Sequence, residues 1–251
     1  MQNQFDPRTT TGVNAAATVG VPRAARDAGL RSYMLSVYNY MASGVLLTGI
    51  VALLFAQTGA AQTLWFGGGI LKWVVIFSPL IMVMVIGGRV DRMSLGGVQA
   101  FFWSFAAVMG VSMSIIPLIY NGTSIAQCFF ATAVAFLSLS LWGYTTKRDL
   151  SGFGTFLLMG LVGLVCAMLF NVGLAVFTGQ RSEALSLAIS LIGVLLFAGL
   201  TAYDTQRIKS MYAYVAGSDM IGKAAIMGAL TLYLDFINMF QFLLSLVGNR
   251  E

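Results

Sequence analysis

Leu230-Thr-Leu-Tyr-Leu-Asp235-Phe-Ile-Asn-Met-Phe-Gln241 lies inside an apolar run that extends over about residues 224–247 and contains no basic residue. Thr231, Asp235, Asn238 and Gln241 are spaced four, three and three apart, which places them on one face of a helix. The run is long enough to span a bilayer, which takes about 20 residues. A spanning helix that carries a carboxylate at mid-depth turns that residue toward other helices, because exposure to lipid costs at least about 2.5–3.5 kcal/mol. This stretch therefore predicts a bundle of membrane helices with a polar interior, and the remaining sequence agrees.

Of the 251 residues, 58% are hydrophobic and 9% charged, and the mean hydropathy is +0.85. Soluble domains carry about 25% charged residues, so this composition excludes an ordinary soluble globule and a disordered chain. Apolar segments recur at about residues 33–56, 70–88, 98–120, 124–144, 152–177, 184–206 and 224–247, which predicts seven spans. They lack the two-residue alternation of a barrel strand. Pro117 is expected to kink the third span, and Asn121-Gly122-Thr123 reads as a tight turn. Residues 1–32 read as an N-terminal tail, mobile at first. The segment from Arg23 to Arg31 then reads as a short interfacial helix. Residues 33–251 read as the transmembrane domain.

Basic residues orient the chain. Alternating the loops between two sides puts Arg8, Arg23, Arg26, Arg31, Arg89, Arg92, Lys147, Arg148, Arg207, Lys209 and Lys223 on the side of the tail. Lys72, Arg181 and Arg250 fall on the other. This split of 11 to 3 predicts a cytoplasmic N-terminus and an outside C-terminus by the positive-inside rule. The net charge of +5 is thus a property of membrane-facing loops, and no nucleic-acid partner is expected.

The chain has no histidine, which excludes His-dependent triads, His-ligated zinc and His-based pH sensing. Cys128 and Cys166 both lie in apolar runs and read as packing residues. No two glycines are four apart, so there is no GxxxG face, and no internal repeat is evident.

Seven of the nine acidic residues lie in the tail, loops or terminus, leaving Asp204 and Asp235. Thr201, Asp204 and Thr205 share a face of the sixth helix as Thr231, Asp235, Asn238 and Gln241 share a face of the seventh. Two antiparallel helices can bring these faces together. Depths counted from the loop lysines differ by about 10 Å at 1.5 Å per residue. The pair therefore meets only if the sixth helix runs past Lys209 or the seventh starts later. Once adjacent, two carboxylates share a proton and titrate together. Ionised, they offer oxygen ligands to a hard cation such as calcium, at a weak site suited to passage. Otherwise each aspartate simply hydrogen-bonds a neighbouring helix.

Gly199-Leu-Thr-Ala-Tyr-Asp-Thr-Gln-Arg-Ile-Lys209 and Gly228-Ala-Leu-Thr-Leu-Tyr-Leu-Asp-Phe-Ile-Asn-Met-Phe240 resemble the last two helices of the Bax inhibitor-1 family, also called the transmembrane Bax inhibitor motif family, in its bacterial branch. Gly143-Tyr-Thr-Thr-Lys-Arg-Asp-Leu150 is similar to the same branch. The resemblance covers about residues 25–250. It implies a seven-helix bundle with the last helix central and a pH-sensitive calcium leak of the inner membrane. Asp204 and Asp235 are then the sensor and the weak calcium site. A basic residue on the second helix, Arg89 or Arg92, is implied as a latch. Those two arginines equally suit plain positive-inside anchors. No cofactor is implied, calcium and protons are the expected small partners, and a membrane quality-control protease is an implied protein partner.

Two other classes fit part of the pattern. An intramembrane aspartyl protease also uses two aspartates on adjacent helices, one following Tyr as in Tyr203-Asp204. Its Gly-x-Gly-Asp motif is replaced here by Leu232-Tyr-Leu-Asp235, so a non-enzyme is expected. A non-transporting regulator that binds other membrane proteins is the second. A retinal protein is excluded because residues 224–247 contain no lysine.

Overall fold

A computed structural model describes residues 23–180 and 182–249; the expected mobile tail, residues 1–22, lies outside them. Nine α-helices follow in order among the described residues, with a 3-10 turn at Val90–Arg92 between the third and fourth: α1 (Arg23–Gln57), α2 (Ala60–Phe66), α3 (Leu71–Gly87), α4 (Leu95–Met113), α5 (Ile116–Ile119), α6 (Gly122–Thr145), α7 (Ser151–Thr178), α8 (Glu183–Val215) and α9 (Ile221–Val247). Six units are long and apolar enough to cross a membrane, with α4 and α5 counted as one. There are seven when α2 and α3, bent by 95° at their junction, are taken as a single span. The protein is an all-α membrane bundle, as the composition predicts.

Backbone groups in hydrocarbon have no water to bond, so each span must close its own hydrogen bonds, and helix ends must be capped or turned. Asn121 caps α6, its side-chain oxygen accepting from the Ser124 N–H at 2.7 Å, so the predicted tight turn is the start of a helix. Ser94 and Ser182 cap α4 and α8 in the same way. Gly217, with φ +77°, ends the α8 region in the left-handed conformation that glycine adopts without strain. Gly68, also at φ +77°, does so at the elbow between α2 and α3.

Three boundaries differ from the sequence expectation. Residues 23–31 are not a separate surface helix but the first turns of α1, since nothing in Asp27-Ala-Gly-Leu-Arg31 breaks it. Pro117 breaks the third span into α4 and the short α5 instead of bending one continuous helix. With no N–H to donate, it fits the first turn of the short α5 and not the interior of a longer helix. Above all, α8 continues beyond Lys209 to Val215.

The core gathers on α9, which packs against α1, α4, α6 and α8. Tyr233 is fully buried there. Thr48 of α1 donates to the Ala106 carbonyl of α4 at 2.8 Å, and the Tyr233 hydroxyl lies 2.7 Å from the same Thr48 oxygen. The rings of Phe102 and Phe105 meet Tyr233 edge-on. By contrast, α7 buries only Leu157, Leu164 and Asn171 and packs on α8.

Candidate functional site

The site is assembled by the antiparallel pair α8 and α9. Ile208 lies against Gly228 on one side of it. On the other, Phe242 covers Gly193, and the Ser190 and Ser245 hydroxyls are 3.1 Å apart. Between these contacts, the Asp204 and Asp235 carboxyl groups come within hydrogen-bonding reach of one another. Both side chains are buried. The extended α8 explains the meeting. Asp204 lies 11 residues before Val215 and Asp235 lies 14 residues after Ile221, so their depths differ by about 5 Å at 1.5 Å per residue. The 10 Å mismatch counted from Lys209 disappears because Lys209 is not the end of its helix. Its ammonium donates to the Tyr144 carbonyl of α6 at 2.7 Å and lies over the Tyr144 ring.

The polar atoms near the pair are mostly committed elsewhere. Thr201 donates to the Phe197 carbonyl, Thr205 to the Thr201 carbonyl, Thr231 to the Met227 carbonyl and the Asn238 amide to the Leu234 carbonyl, each one turn back on its own helix. Gln241 is half-buried. The Asp235 Oδ2 atom is buried and has no hydrogen-bond partner. An unpartnered buried polar atom is costly, more so when charged. Asp235 is therefore a group that calls for a proton or a cation. The Arg207 guanidinium, one turn along α8 and exposed, is a positive charge that acts on Asp204.

Arg89 and Arg92 are not brought to the carboxylates. Both are exposed on the connection between α3 and α4 and make no hydrogen bond or ion pair through their side chains among the described residues. The neighbouring Asp91 carbonyl accepts from Lys223 at 3.5 Å, which fixes this connection beside the start of α9. Lys223 precedes Asp235 by 12 residues, about 18 Å of helix.

Sequence reasoning missed the hydroxyl chain that ties α8 outward. The Tyr38 hydroxyl of α1 lies 2.7 Å from Ser140 of α6, and Ser140 lies 2.9 Å from Thr205. No spacing rule joins residues on three different helices. Small residues allow the approach: a Cβ at Gly143 of α6 would overlap the Ala202 carbonyl of α8.

Residues 30–251 match the family described as Inhibitor of apoptosis-promoting Bax1. The chain belongs to the Bax inhibitor-1 family. Among its relatives, the protein RP147 of Rickettsia prowazekii is 47% identical over 226 residues, covering 90% of this chain and 92% of the relative. The inner membrane protein YbhL of Escherichia coli K12 is 44% identical over 226 residues, covering 89% and 94%. The membrane protein SpyM3_0260 of Streptococcus pyogenes is 33% identical over 234 residues, covering 90% and 96%. This Bax inhibitor-1 family member is a multi-pass membrane protein, and the Asp204–Asp235 pair lies well within the matched region.

Proposed function

We propose that this chain is a pH-sensitive calcium leak of the bacterial inner membrane, gated by a proton that Asp204 and Asp235 share. The observation that carries the reading is the buried, unpartnered Asp235 Oδ2 beside a second buried carboxylate. Two like charges held together away from water favour a state with one proton between them. Loss of that proton leaves a doubly negative oxygen site between two helices. Calcium takes 6–8 oxygen ligands. The pair is not joined by a third acidic, histidine or cysteine side chain among the described residues. That ligand set suits an ion in transit, with Thr201, Thr205, Thr231, Asn238 and Gln241 as polar neighbours along the same helices.

In this reading the chain is not an enzyme. The basic helix ends face the cytoplasm, so the N-terminus is cytoplasmic and the C-terminus outside. Contacts support a common basic end: Lys209 with Tyr144, Lys223 with Asp91, and the close approach of Gly29 to Tyr212. Arg89 and Arg92 remain the latch candidates. Either reaches the pair only if α3, which packs on α2 and α4 alone among pairs of extensive contact, carries it toward α9.

The test is calcium flux into liposomes for the wild type, Asp204→Asn and Asp235→Asn from pH 6 to 8. Wild-type flux is expected to rise with pH as the shared proton is lost, and each Asn variant to flatten that rise. Three identical profiles sink the proposal. The proximity of two aspartates also suits an intramembrane protease, so cleavage of a membrane peptide in the same vesicles, lost in both variants, favours that class. Absence of flux together with co-purification of a membrane protease favours the regulator.

A further inference from the structure

At the basic end of the bundle, residues 146–150 connect α6 to α7 and are held by one side chain. Gln206 of α8 accepts from the Leu150 N–H through Oε1 at 2.8 Å and donates from Nε2 to the Arg148 carbonyl at 2.8 Å. These two hydrogen bonds fix the backbone from which Lys147 and Arg148 project, and Arg207 directly follows Gln206 on α8. Lys147, Arg148, Tyr203, Gln206 and Arg207 are among the residues that line a hollow of about 360 Å³.

The hollow concentrates positive charge. None of the three cationic heads makes a hydrogen bond or ion pair among the described residues. Asp149 is the one carboxylate at the rim. Its Oδ1 accepts from the Ser151 N–H at 2.9 Å, and that bond holds its carboxyl below the usual carboxylate range. It also occupies the first N–H of α7, so side-chain cations, not the helix terminus, define the hollow. A free loop would let three like charges separate. The Gln206 clamp holds them together, an arrangement that a counter-anion stabilises.

We propose that Lys147, Arg148 and Arg207 form a binding site for a phosphate-bearing anion, with the head group of an anionic phospholipid as the form that a membrane supplies. Basic pockets between membrane helices bind such head groups by the same physics, and Arg adds paired donors that match phosphate oxygens. The site stands apart from the carboxylate pair except at Arg207, whose charge also acts on Asp204.

The full-length chain in phosphatidylcholine nanodiscs is titrated with phosphatidylglycerol, with retained lipid read by native mass spectrometry. The triple variant K147Q/R148Q/R207Q is expected to bind about 100-fold more weakly, taking each cation at about 1 kcal/mol. Gln206→Leu keeps every charge but frees the connection, and is expected to weaken binding as well. It serves if the triple variant does not fold. Competition by millimolar inorganic phosphate assigns the site to the free anion, and no competition assigns it to the lipid; either retains the phosphate chemistry. Undiminished binding in Gln206→Leu and in the triple variant overturns the proposal. So does an equal loss in Lys72→Gln, at the other end of the bundle.

Discussion

Helices α7 and α9 invert the rule learned from soluble proteins. The more apolar of the two, α7, buries only Leu157, Leu164 and Asn171, while about half of the more polar α9 is buried. In water the apolar helix goes inside. In lipid an apolar surface gains nothing by leaving hydrocarbon, and association depends on packing and on polar groups that need partners. The helix with Thr231, Asp235, Asn238 and Gln241 is therefore drawn inward, while α7 touches the bundle along one stripe. Polarity marks the interior here.

The largest test of that contrast moves a carboxylate to the wrong helix. Leu169, exposed in the second half of α7, is expected to cost up to about 2.5–3.5 kcal/mol as Leu169→Asp, seen as a lowered inserted fraction in a bilayer-insertion assay. If Leu169→Asp is silent, α7 is not the lipid-facing helix. A smaller effect separates two glycines. Gly143→Ala forces a methyl onto the Ala202 carbonyl and is expected to destabilise by about 1–3 kcal/mol. Gly163→Ala on α7 meets nothing within 4 Å and is expected to be neutral or to stabilise by up to about 1 kcal/mol. Equal Tm values for the two would erase the distinction between inner and outer helices.

The smallest effect lies outside the membrane. Asp149 has its carboxyl lowered by the Ser151 N–H. Its contribution to stability is thus present above the unfolded carboxylate value and is lost as pH falls through the lower folded value. Asp149→Asn is expected to remove that small acid dependence and leave the Tm at pH 7 nearly unchanged.

Much of this was legible in the residues themselves. Apolar length fixed the spans, because lipid leaves the backbone few alternatives, and the rarity of acids within spans singled out Asp204 and Asp235. Their meeting was not legible. Arg207 and Lys209 look like the end of a span, but the chain from Ser210 to Val215 has no breaker and the helix persists until the turn at Gly217. Lys209 is tolerated because Tyr144 of another helix receives it. The Tyr38–Ser140–Thr205 chain and the Gln206 clamp were hidden for a related reason: each joins residues 56 or more positions apart. Three successive glycines, Gly67 to Gly69, stand at the elbow, but their number does not reveal a 95° bend.

That elbow leaves α3 only 17 residues long, about 25 Å at 1.5 Å per residue, against a hydrocarbon core of about 30 Å. Elsewhere in the bundle, α1 and α8 each exceed 30 residues. The molecule thus presents a short flank and long flanks to the same bilayer. Lipids beside α3 must thin, or the elbow must open to lengthen the span, at a cost that grows with each ångström of mismatch. Acyl-chain length becomes a mechanical input acting at one corner of the bundle, the corner that carries Arg89 and Arg92.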